Sequence, residues 1–218
     1  MFERSGPGWQ VSARSHMSML IALYLRDLAG IRRASPALCD SPQTPMLSPL
    51  SPPVKPRAAD EFSRAEFAEL CQEWHQWWRR IVTRYDADGS PDETETPEPG
   101  LLGQPHFNAY RSSPSLQRLL RAHYGAATDW SHERRREYNA LSREHAAAGR
   151  RQVLESLVEE RSLESDPQDV LTLNMIELPL AERRAWLVGD RTVILSQELV
   201  RDERLLRSYL EPMIRLIR

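Results

Sequence analysis

The sequence predicts an α+β fold: helices first, then a small antiparallel sheet with a β-hairpin and a C-terminal helix. Three observations predict it. Residues 64–85 and 129–161 carry apolar side chains at helical spacing. Residues 170–196 read instead as short apolar runs divided by turn residues. The last run ends on a serine, after which helical periodicity resumes. Elements segregated in this way argue for α+β rather than an alternating parallel α/β sheet.

Residues 1–60 read as a flexible N-terminal extension, and residues 61–218 as a single α+β domain. Within the extension, 17–33 suits a short amphipathic helix, with Leu20, Leu23, Tyr24, Leu28 and Ile31 near one face. Residues 34–58 crowd in Pro36, Pro42, Pro45, Pro49, Pro52, Pro53 and Pro56, a density that excludes helix and central strand and predicts an extended linker. Pro53-Val54-Lys55-Pro56 is a bare PxxP within that linker.

The folded part opens at Ser63-Arg64-Ala65-Glu66, a capping box. Behind it Phe67, Leu70, Cys71, Trp74, Trp77, Trp78, Ile81, Val82 and Tyr85 form one apolar stripe. Residues 86–103 are acidic and rich in proline and glycine, as a solvated loop would be. Ser113 and Pro114 open a short helix lined by Leu116, Leu119, Leu120 and Tyr124 and ended by Gly125. A longer helix follows from Asp129 or Ser131 to about Arg161, with a kink or break expected at Gly149.

Residues 170–178 are strand-like, and 183–188 and 191–196 flank Gly189-Asp190, which suits a two-residue hairpin. That register sets Trp186 opposite Val193 and Leu187 opposite Thr192. Ser196 then caps the last helix, which Pro212 interrupts.

Composition narrows the function classes. A net charge of −2 supplies no global field toward nucleic acid or an anionic membrane. Lys55, inside the linker, is the only lysine among 29 basic residues, so the folded part has none for Schiff-base or P-loop chemistry. Cys39 and Cys71 make no paired framework, which fits a reducing, cytoplasmic home. The most apolar run, 19–25, falls short of the about 20 residues a membrane span needs.

No pattern of catalytic residues survives inspection. His132-Glu133 begins HExxH, but Arg136 stands where the second histidine belongs. Asp86-x-Asp88-Gly89 resembles a calcium loop, yet Pro91 occupies the position that requires glycine. Cys71 and His75 are one helical turn apart, the spacing of an activated thiolate, but they sit among tryptophans, where an inert thiol is the simpler reading. Ser196 lies between strand and helix without the glycines of a nucleophile elbow. His145, on an apolar helical face, reads as a structural histidine.

Two features remain as partner-binding candidates. Trp74, Trp77 and Trp78 make a heavy aromatic stripe that serves as core, with one edge available to a partner. Arg136, Arg143 and Arg150 recur every seven residues and could line up against phosphates, although Glu133, Glu137 and Glu144 are interleaved with them. The expectation is a non-catalytic interaction or accessory protein, with another protein or a second copy as partner and no cofactor. A small enzyme with a site assembled from distant residues such as His75, His123 and His132 is the alternative. A nucleic-acid binder using the arginine row comes third.

Overall fold

The computed structural model describes residues 2–6, 8–31, 47–88, 99–149, 152–163 and 171–217. The chain forms two compact units. One comprises residues 1–15 and 135–218, the other residues 16–134.

The first unit is built on a five-stranded mixed sheet. Its strands are β1 (Phe2–Gly6), β2 (Trp9–Arg14), β3 (Leu171–Leu178), β4 (Ala185–Val188) and β5 (Thr192–Ser196), in the spatial order β1-β2-β3-β5-β4. The expected helices-first order is therefore corrected: strands come first, at residues read as an extension. The expected antiparallel sheet is corrected too. β2, β3 and β5 run parallel, and only the outer strands β1 and β4 are antiparallel to their neighbours. The sequence hid this because β2 and β3 pair across more than 150 residues, and no local pattern carries such a pairing.

One face of the sheet is apolar. Val11, Ala13, Leu173, Met175, Val193 and Leu195 alternate along the three parallel strands. They pack with Leu154, Leu157 and Val158 of α4 (Gln152–Leu163) and Leu206, Leu210 and Ile214 of α5 (Glu203–Ile214). Ser196 does not cap the last helix: its Oγ accepts from Leu199 N–H at 3.2 Å, ahead of a short 3-10 turn at Leu199–Arg201 whose N-cap is Glu198. The cap of α5 is Asp202, whose Oδ1 accepts from Leu205 N–H at 3.0 Å.

The hairpin exists, with a longer loop than expected. Val188 pairs with Thr192, so three residues rather than two make the turn, and Gly189 takes φ 65°. Trp186 consequently opposes Ile194, not Val193. A one-residue slip in register exchanges the faces. Ala185, Leu187, Val193 and Leu195 share the core face, while Trp186, Val188, Thr192 and Ile194 share the other.

The second unit is helical. α1 (Met17–Ala29) is apolar all round, and every residue except Asp27 is buried, as such a helix requires. His16 caps it, its Nδ1 accepting from Met19 N–H at 3.4 Å. It ends four residues before the expected 33, because Gly30 adopts φ 71° and its N–H closes on the last carbonyls. α2 (Arg64–Asp88) starts at the expected capping box: Ser63 N–H donates to Glu66 Oε2 at 2.8 Å, and Glu66 N–H to Ser63 Oγ at 3.3 Å. α3 (Pro114–Ala147), whose residues from Arg135 on belong to the first unit, runs unbroken through Gly125, where the short helix was expected to end. Nothing lies within 4 Å of the position a Gly125 side chain would occupy, so this glycine neither turns the chain nor admits a neighbour. The break expected at Gly149 is present, with φ 67° there and α4 beginning at Gln152.

Of the proline-rich tract 34–58, residues 34–46 lie outside the described residues. Residues 51–58 form neither helix nor strand, and Leu47, Ser48 and Leu50 are buried. Among the described residues no helix is long and apolar enough to cross a membrane.

Candidate functional site

The tryptophan stripe lies inside the helical unit. Trp74, Trp77 and Trp78 are 4%, 0% and 3% exposed, so their rings offer a partner no surface. Trp74 and Trp78 stack with centroids 5.7 Å apart, and Trp77 meets Tyr110 edge-on at 5.9 Å. The Trp74 indole N–H donates to the Ala22 carbonyl at 2.9 Å. That bond ties α2 to α1 and satisfies the one polar atom of a buried ring.

Of the arginine row, Arg136 and Arg143 are exposed on α3, and Arg143 Nε donates to Asn139 O at 3.2 Å. Arg150 lies outside the described residues. Arg134, next in sequence, is buried; it pairs with Glu133 at 3.0 Å and lies over the Trp130 ring.

The histidines do not converge. His75 Nδ1 is 2.6 Å from the Cys71 carbonyl oxygen, a backbone contact. His123 Nε2 sits 2.9 Å from Glu61 Oε1 near the surface. His132 is exposed and His145 fully buried. Among the described residues no three His, Cys, Asp or Glu side chains group as a metal would require. Of the calcium-like loop, Asp86 and Asp88 lie in the last turn of α2, and Gly89 and Pro91 fall outside the described residues.

Two arrangements in the sheet unit were not anticipated. The first is a polar row on the face opposite the apolar core. Ser12 on β2 registers with Asn174 on β3, and Asn174 with Thr192 on β5. All three are buried, as is Arg14 two residues beyond Ser12. Arg14 Nη2 donates to Ser12 Oγ at 3.0 Å, and Ser12 Oγ donates to Asn174 Oδ1 at 3.1 Å. A guanidinium can only donate, so the serine oxygen accepts there and sends its single hydrogen to the amide oxygen. The Asn174 NH2 group is thereby left to donate. Thr192, 1% exposed, has a hydroxyl with no hydrogen-bond partner among the described residues. Leaving such a group unsatisfied costs about 1–3 kcal/mol. A polar residue in the middle of the run Leu171-Thr172-Leu173-Asn174-Met175-Ile176 was the one sequence signal for this row.

The second arrangement is the outer edge of β1. β1 pairs with β2 along Phe2↔Ala13 to Gly6↔Trp9. Among the described residues its other edge pairs with no strand. A side chain at Gly6 would strike the Trp9 indole, so glycine there leaves room for that ring.

Compared with known proteins, the chain matches no family model, no curated protein and no solved structure.

Proposed function

We propose that the chain is a non-catalytic interaction protein of the cytoplasm that associates by adding a strand to its own sheet, with a second copy of itself as partner. The observation that carries this reading is the open edge of β1. An outer strand presents a row of unpaired backbone donors and acceptors, a template for β-strand addition.

A twofold axis beside β1 would set the same edge of a second copy against it, an isologous backbone pairing that needs no second kind of surface. A five-residue edge is a small contact, so the association expected is weak and concentration-dependent.

Sedimentation equilibrium across a wide concentration range tests it. Wild type should pass from monomer to dimer. Ser5→Pro, which removes a backbone donor from β1, should weaken the dimer. Ser5→Thr, which keeps the donor, should dimerise as wild type does. A chain that stays monomeric throughout, or a Ser5→Pro chain that dimerises as well as wild type, would overturn the proposal.

A further inference from the structure

We infer that the outer edge of β4, with the apolar flank of α5 beside it, is a docking site for an extended acidic peptide of a partner protein. It lies within the sheet unit, at the opposite end of the sheet from β1, and does not depend on association through β1.

Three observations carry it. The first is the backbone of β4. It is the last strand of the sheet, and among the described residues its outer edge pairs with no strand. Ser196 N–H donates to the Arg184 carbonyl at 3.0 Å. Bonded residues alternate in an antiparallel pair, so Arg184, Trp186 and Val188 turn their backbone groups to β5, while Ala185 and Leu187 turn theirs outward. A strand added at such an edge bonds to N–H and C=O groups already in line and needs no preformed cavity.

The second is the flank of α5. Leu206, Leu210, Ile214 and Ile217 are buried against the sheet. Arg207 reaches Glu160 of α4 at 3.1 Å, which marks the side of α5 that faces α4. On the side away from α4 run Leu205, Tyr209 and Met213, all half-buried, followed by Leu216, which is 67% exposed. α4 contacts β2 and α5 contacts β4, so this flank overhangs the β4 edge, where Leu187 is half-buried on the same face of the sheet. The apolar side of α5 thus covers about half its circumference, where a helix packed on one core needs a stripe of about 100°.

The third is charge. Arg183 and Arg184 lead into β4, both exposed, and among the described residues neither pairs with a carboxylate. Arg184 lies over the Trp186 ring, on the face of the sheet away from α5. Side chains of an added strand alternate between the two faces. Apolar ones meet Leu187 and Tyr209, and acidic ones meet Arg184. The occupant that fits is therefore a segment alternating acidic and apolar residues.

The test uses the full chain and two fluorescently labelled hexapeptides, one alternating glutamate with valine and one alternating lysine with valine. Anisotropy and the backbone amide resonances of Ala185 and Leu187 are the readouts. The acidic peptide should bind saturably and shift both amides, and the basic one should not. Tyr209→Ser, which strips the flank, and the paired exchange Arg183→Glu with Arg184→Glu, which reverses the charge, should each lower that affinity about tenfold. Both arginines are exposed, so their exchange serves alone should Tyr209→Ser not fold. No saturable binding, equal binding of the two peptides, or an affinity unchanged by the arginine exchange would overturn the inference. A dimer that survives Ser5→Pro but is lost in Tyr209→Ser would give this edge to a second copy and overturn it as well.

Discussion

Arg26 and Asp27, neighbours in the last turn of α1, form a buried ion pair with Arg26 Nε 2.7 Å from Asp27 Oδ1. Together they hold the far end of the proline-rich tract. Arg26 Nη1 and Nη2 donate to the carbonyls of Leu47 and Ser48 at 3.0 and 2.9 Å, and Asp27 Oδ2 accepts from Leu50 N–H at 2.8 Å. The pair thus satisfies backbone groups that a proline-rich segment cannot pair within itself. Asp27→Ala would take this carboxylate from the buried guanidinium and leave Leu50 N–H without its acceptor. We expect a loss of about 1–3 kcal/mol in urea unfolding, with faster proteolysis near residue 47. A variant as stable as wild type would show that the strap contributes nothing to folding.

Removal of residues 1–58 is expected to abolish cooperative folding. β2 lies between β1 and β3, so its loss strips β3 of a partner along six residue pairs. The same deletion removes α1, which is buried almost throughout and receives the Trp74 hydrogen bond. Circular dichroism of a fragment starting at Asp60 checks this. A sharp thermal transition in that fragment would instead support residues 61–218 as a self-sufficient domain.

What was legible in the sequence follows from the range of each interaction. The capping box at Ser63 and Glu66 spans three residues, and Gly149 and Gly189 act through their own φ angles, so each could be read locally. The tryptophan stripe was readable because one helical period aligns it with Leu70 and Ile81. The parallel pairing of β2 with β3 leaves no local trace, and it governed both the strand order and the polar row. Ser12 gains meaning only beside Asn174, and Asn174 only beside Thr192. Glu73 was equally hidden, since its carboxylate in α2 accepts from Leu116 N–H, 43 residues away, at the start of α3.

Trp77→Ala is expected to cost about 3–5 kcal/mol, because the ring is fully buried and its edge contact with Tyr110 goes with it. Trp74→Phe should cost about 1 kcal/mol for the lost bond to Ala22, with some packing loss added. Chemical denaturation of the two variants against wild type measures both. Near-equal losses would mean that the indole N–H matters as much as the whole Trp77 ring.

Gly189→Val should destabilise the hairpin by about 1–2 kcal/mol, the cost of placing a side chain at a positive φ. Gly189→Asn should lose less, since asparagine tolerates the left-handed region. Asp190→Asn should be nearly silent. Melting temperatures in that order support the three-residue loop, whereas equal tolerance at both positions would contradict it.

Two glutamates give opposite pH signatures. The backbone N–H of Ser63, then its hydroxyl, hold the Glu66 carboxyl below the ordinary glutamate value. A depressed folded value contributes stability above the unfolded pKa of about 4.3 and loses it as pH falls through the folded value. Glu66→Gln should therefore be less stable than wild type at neutral pH, with the difference closing in acid. Glu73 runs the other way. Desolvation by burial is the largest influence and raises its pKa, outweighing the backbone hydrogen bonds from Leu116 and Ser115. The folded protein then binds the proton more tightly than the unfolded chain, so stability falls as pH rises from about 4.3 through the folded value. Glu73→Gln removes that charge while its amide oxygen can still accept from Leu116 N–H. It should match wild type in acid and surpass it at neutral pH. Urea midpoints at several pH values measure both differences. A Glu73→Gln variant that is less stable than wild type at neutral pH would show that the charged cap on α3 outweighs its desolvation.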